Sequence, residues 1–178
     1  MTFGLEVSNA LDSFRIPAQY LIALDNRALH FALQPWQFLI RAFHVLSVCV
    51  FFGAILVLDL RLLGLGRDIP LKPLARLALP VVYVSLGITM LTGFVLFFYE
   101  PLAVGSHDWL TPKLLFIALG FCNAAWFNLS YLPAQLILPH GLTRAGQIAA
   151  VTSILLWGLA ILCGCLNAEP PPRLYLNS

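Results

Sequence analysis

The sequence predicts an all-α integral membrane protein, a four-helix bundle running up-down-up-down behind an N-terminal interfacial helical segment. Three observations predict it. Residues 42–58, 77–99, 114–143 and 145–168 hold no acid, lysine or arginine. Each stretch is about long enough to cross a bilayer as a helix, which takes roughly 20 mostly apolar residues. The chain is 60% hydrophobic and 10% charged, whereas a soluble domain carries roughly 25% charged residues. The connections between the stretches are rich in glycine and proline, which favour turns. A bilayer offers the backbone no water, so each crossing segment must satisfy its own N–H and C=O groups as a helix. With 178 residues there is room for four spans and short connections, hence one membrane domain, 1–178.

Residues 1–35 mix Glu6, Asp12, Arg15, Asp25 and Arg27 with apolar groups, so this part cannot cross. It is expected to lie at the membrane surface as one or two short helices, with Phe14, Tyr20 and Phe31 dipping in. No apolar core with a small-residue cleavage site follows Met1, so the expectation is insertion by the spans themselves, without a signal peptide. Pro35 is expected to break the chain, because it cannot donate a helical hydrogen bond. Trp36 then suits an interfacial aromatic belt. Span one covers about 36–60, with Asp59 and Arg61 at its far end, pairing with each other or with backbone, or lying among headgroups. Gly64, Gly66, Pro70 and Pro73 mark the first loop. Span two covers about 74–99 and closes at Glu100-Pro101. Pro112 suits the first turn of span three, 112–138, in which Pro133 is expected to kink or end the regular helix. Pro139-His140-Gly141 makes a tight turn, and span four, 142–167, stops before Pro170-Pro171-Pro172.

Charge placement gives an orientation. Arg61, Arg67, Lys72 and Arg76 flank the first loop and Arg144 the third. Positive residues collect on the cytoplasmic side, so both termini are expected outside a bacterial inner membrane. The net charge of +2 and the lack of any basic cluster argue against nucleic acid. The four cysteines, Cys49, Cys122, Cys163 and Cys165, fall inside spans, which argues against a disulfide framework and for small core hydrophobes. Ser85, Thr89 and Gly93 repeat every four residues on span two, a strip where a neighbouring helix can approach closely.

Polar groups inside a span are costly and mark functional candidates. His44 lies eight residues past Trp36, about 12 Å deep at a rise of roughly 1.5 Å per residue. On the same scale Met90 lies about 13 Å deep, and Cys122 and Asn123 roughly 15 to 17 Å. These residues are expected to share one layer near the external face. Imidazole, thioether and thiolate are ligands of metals and haem iron. His44 is the candidate ligand, with Met90 or an infolded His107 as the second. Arg41, one turn before His44, would steady a haem propionate or a quinone head group, or would reach lipid headgroups. The plainer expectation for His44 is a hydrogen bond to a neighbouring helix, to Asn123 or Ser47. Asn123, Asn128 and Ser130 suit hydrogen bonding between helices. Glu100 and Asp108 beside His107 are a weaker external cation site. No GxSxG, phosphate-binding glycine loop or HExxH occurs, which points away from stand-alone catalysis.

The run Phe43-His44-Val45-Leu46-Ser47 through Phe52-Gly53-Ala54 to Asp59-Leu60-Arg61-Leu62-Leu63-Gly64 resembles the first span of a family of small bacterial four-helix inner-membrane proteins of unknown function. That family is loosely similar to copper-resistance D-type membrane domains. Pro112-Lys113 and Asn123 agree with the resemblance, which covers about residues 30–168. It implies the architecture. It also implies that a second histidine often follows the span-three asparagine by five positions, a place that Asn128 takes here.

Three functions follow as expectations. The first is a small inner-membrane subunit of electron transfer, binding haem b or a metal near the external face. The second is a non-catalytic accessory or scaffold subunit, associating with itself or with other membrane subunits and binding only lipid or pigment. The third is copper handling in the membrane.

Overall fold

Apolar runs without clustered glycine or proline become helix, and the breaks fall where such residues gather. A computed structural model describes residues 16–132 and 143–168. The expectations for Phe14, for a kink at Pro133, for the turn at 139–141 and for the prolines at 170–172 lie outside the described residues. Helix α1 is Ala18–Leu24 and α2 is Arg27–Leu33, and a 3₁₀ turn, Gln34–Trp36, leads into α3, Gln37–Leu63. The others are α4 (Leu71–Tyr99), α5 (Pro101–Gly105), α6 (Leu110–Ser130) and α7 (Arg144–Ala168). No strand occurs among the described residues. Helices α3, α4, α6 and α7 are long and apolar enough to cross a membrane.

Local chemistry sets the ends. Asn26 caps α2, its Oδ1 accepting from the N–H groups of Ala28 and Leu29 at 3.0 and 3.2 Å, as a short polar side chain does at an N-terminus. Pro35 does not break the chain as expected. It sits in the first turn of the 3₁₀ element, where its missing N–H costs nothing. Helix α3 ends on Gly64 at φ 103°, a left-handed conformation that glycine adopts without a Cβ penalty. Pro73 and Pro112 fall within the first turns of α4 and α6, so these helices begin two or three residues before the expected spans. The second loop carries α5 instead of running as plain loop.

Asp59 and Arg61 do not pair, since residues two apart leave a helix on different faces. Arg61, 4% exposed, turns back to the first loop. Its Nε donates to Ile69 O at 2.7 Å and its guanidinium to Arg67 O at 3.4 Å.

The long helices form two antiparallel hairpins. Ser47 meets Thr89 between α3 and α4, and Asn123 meets Ala149 between α6 and α7. Phe51 packs edge-on against Trp157, its ring centroid 4.7 Å away, joining α3 to α7. These pairings give the up-down-up-down order. Helices α4 and α6 pack more loosely than the hairpin pairs, and both line a cavity. The first two helices fold over the second loop. Leu21 is buried against Gly105 of α5, and His30 stacks on Tyr99 with ring centroids 4.5 Å apart while its Nδ1 donates to Tyr99 O at 3.0 Å.

Outward faces are apolar. Leu77 is 73% exposed and Leu129 83%. In water such continuous apolar surface would drive association; in a bilayer it meets acyl chains.

Candidate functional site

Two polar regions lie inside the bundle, at opposite ends of α3. Asp59 is fifteen residues beyond His44, about 22 Å along the helix.

The first region is the seam between α3 and α4. The Thr92 hydroxyl donates its one proton to Ile88 O at 2.7 Å. Its oxygen therefore accepts from His44 Nδ1–H, 2.9 Å away. A neutral imidazole protonated on Nδ1 carries a lone pair on Nε2. One turn on, Thr89 donates to Ser47 Oγ at 2.9 Å and Ser47 donates to His44 O at 2.9 Å. Ser85 donates to Val81 O at 2.6 Å. The small-residue strip thus does form a helix contact. At Gly93 the fit is tight: a Cβ there would come within 3.2 Å of His44 Cε1, so the ring would have to give by a few tenths of an ångström.

His44 is half-buried and bonded to Thr92, not to Asn123 or His107. Ser47 bonds the His44 backbone instead of its ring. Met90 is half-buried and stands about 160° around α4 from Thr92 at 100° per residue. Arg41 is exposed on α3. His107 is half-buried, and its carbonyl accepts from Leu110 N–H at the start of α6. Lys113 is the neighbour that residue spacing missed. Its side chain lies along Gly164 of α7, with Nζ 3.6 Å from where a Cβ would stand. Gly164 lies between Cys163 and Cys165, so the ammonium sits at the cysteine-bearing end of α7. Cys163 is buried, but Cys49, Cys122 and Cys165 are exposed, so three of the four expected core thiols face outward.

The second region is a cavity of ≈ 280 Å³ between the hairpins, lined by residues of all four long helices. Its walls are mainly apolar, and five polar side chains besides Tyr83 reach it: Asp59, Asn123, Asn128, Ser153 and Trp157. Asp59 is 5% exposed and Trp157 4%. Ser153 stands beside the Asp59 carboxyl group, while Oδ2 of Asp59 and Nε1 of Trp157 have no hydrogen-bond partner. A buried polar group left unpaired costs about 1–3 kcal/mol, and both residues line the cavity. Asn123 gives its Nδ2 to Ala149 O at 3.0 Å. It therefore stands with the cavity, apart from the His44 layer in which its depth had been expected to place it. The signal available in sequence was an acid inside a span, opposite a Ser153–Trp157 pair at helical i, i+4 spacing.

Neither region is a metal cage. Among the described residues no three His, Cys, Asp or Glu side chains come together to hold an ion. A haem fits only in part. His44 offers Nε2, but among the described residues no second ligand stands with it, and His30 is committed to Tyr99.

The fold and the cavity define a multi-pass helical membrane protein with a mainly apolar pocket inside the bundle. No family model, no curated protein and no solved structure matches this chain.

Proposed function

We propose that the protein is a non-catalytic binding subunit of the bacterial inner membrane, with both termini outside, which holds a small and largely apolar molecule between its two hairpins. The buried Asp59, which lines a mainly apolar cavity and is unpaired at Oδ2, carries this reading. Ligand sites are mostly apolar clefts with a few polar groups that fix orientation, and polar residues at membrane depth mark function. A mainly apolar lining with a few polar side chains is the make-up of a binding site, and this cavity has it. Outward-facing apolar residues leave room for self-association or for other membrane subunits.

The test is native mass spectrometry of protein extracted in mild detergent. The expected result is a bound small molecule that is lost when Ala124→Phe fills the cavity. A molecule retained in full by Ala124→Phe, or none in any preparation, overturns the reading.

The His44–Thr92 bond favours a second reading, an electron-transfer subunit with haem b as cofactor. Metal-bound histidines almost always donate their other ring N–H to a fixed acceptor, as His44 does to Thr92. Lys113, more than the exposed Arg41, would then meet an anionic group of the cofactor. A Soret band that disappears in His44→Ala supports this reading, and its absence from purified protein rejects it. Copper handling has no three-ligand donor set among the described residues to support it.

A further inference from the structure

Resting on the binding reading, we infer that the cavity holds an acyl chain of an anionic glycerophospholipid, drawn from the leaflet beside the first loop, with its phosphate at Lys72 and Arg76.

Depth selects one leaflet. The lining runs from Phe51 to Leu62 on α3 and from Phe121 to Leu132 on α6, about 16 Å of helix at roughly 1.5 Å per residue. Half of a hydrocarbon core roughly 30 Å thick is about 15 Å. Among the described residues none of the lining comes from α3 before Phe51 or from α4 beyond Leu86. The cavity therefore matches the acyl depth of one leaflet, on the side of the first loop. Volume agrees. A cavity of roughly 150 Å³ holds the six carbons of benzene. On that scale ≈ 280 Å³ takes about eleven carbons, the greater part of one chain.

A stripe on α4 leads from the cavity to the headgroups. Tyr83 lines the cavity and is 56% exposed, so the cavity reaches the lipid-facing surface there. On α6 the exposed Phe121 and Ala125 also line it. A chain dissolved in the bilayer thus enters sideways. At 100° per residue, Lys72 and Arg76 each lie within about 20° of Tyr83 around α4. They stand about 16 and 10 Å nearer the first loop, and both are exposed. A chain seated beside Tyr83 brings its phosphate to this pair.

Charge selects the headgroup. Leu62, Leu71, Ala149 and Ala150 pack together, which puts the start of α7 at the first-loop end. Arg67, Lys72, Arg76 and Arg144 are exposed at that end, against Asp68 as the one exposed acid among the described residues there. Lysine and arginine beside a span attract anionic lipid, and basic sites between spans bind its headgroups. With both termini outside, this is the cytoplasmic leaflet, whose surface is negative.

The full chain, purified in mild detergent, is titrated with dioleoylphosphatidylglycerol and with dioleoylphosphatidylcholine, and native mass spectrometry reads the bound lipid. The expected result is saturable binding of phosphatidylglycerol, about tenfold tighter than phosphatidylcholine. Lys72→Gln combined with Arg76→Gln removes this preference and leaves phosphatidylcholine binding unchanged. Arg27→Gln, which removes an exposed charge at the opposite end, leaves the preference intact. Ala124→Phe weakens both lipids at least tenfold. The charge variants lie at the surface, so they test the inference even if Ala124→Phe misfolds. Equal binding of the two lipids, both lost in Ala124→Phe, overturns the headgroup class and leaves the binding reading standing. A preference that survives Lys72→Gln with Arg76→Gln, or that Arg27→Gln abolishes, overturns the placement of the phosphate. Saturable binding of neither lipid overturns the inference, and the binding reading then stands only on another co-purified molecule that Ala124→Phe removes. Phosphatidylglycerol held as tightly by Ala124→Phe as by the parent overturns both.

Discussion

The α3–α4 seam and the cavity between the hairpins both bring polar side chains into the membrane interior, and they treat them in opposite ways. In the seam the polar groups are met. His44, Ser47, Thr89, Thr92 and Ser85 each have a hydrogen-bond partner at 2.6–2.9 Å. Small residues let the two backbones come close enough for this. At the cavity Asp59 and Trp157 are more deeply buried than His44, yet one atom of each is left alone. The lesson is that polarity within a bilayer has two uses. Where both partners belong to the chain it fixes helix register; where a buried polar residue lines a cavity it marks a candidate site.

The sharpest way to break this contrast is to spoil the fit of the seam. Gly93→Leu drives a branched side chain into the His44 ring and is expected to destabilise the bundle by about 3 kcal/mol, the upper range for overpacking a closed interface. Unfolding in mixed detergent micelles measures it. A Gly93→Leu protein as stable as the parent would show that the seam is loose.

Asp59→Leu is expected to have the opposite sign. Replacing an uncompensated buried carboxyl with an apolar side chain of similar size should stabilise the empty protein by about 2 kcal/mol, within the range seen when buried polar groups are replaced by packed hydrophobes. Loss of stability in the same assay would mean that Asp59 serves the fold, and the contrast between the regions would fail.

The smallest effect is expected from Thr89→Val. It removes one donor from the seam while Ser47 keeps its bond to His44 O, so the cost should be about 0.6 kcal/mol, the average for a hydrogen bond between membrane helices. A loss several times larger would show that the seam's bonds act as a coupled network.

Much of the fold was legible along the chain. The four spans follow from charge-free runs, the helix contact on α4 from the Ser85-Thr89-Gly93 spacing, and the tight end of α3 from Gly64. The helix starts at Leu71 and Leu110 were less visible, because Pro73 and Pro112 read as boundaries although the first turn tolerates them. The site was legible only in part. His44 stood out as an imidazole within a span, but its partner Thr92 lies on another helix 48 positions away. Asp59 read as a terminal charge beside Arg61, since nothing in a linear order says that one turns to the loop and the other to the interior.

The sequence by itself determined that the chain is helical and crosses a membrane. Hydrophobicity accumulates residue by residue, and a helix satisfies its backbone within its own segment, so neither property waits on a neighbour. Only the tertiary structure decided which intramembrane polar groups are paired and which face a cavity. That depends on helix rotation and on how loosely α4 and α6 pack, quantities set by packing between segments far apart in the chain.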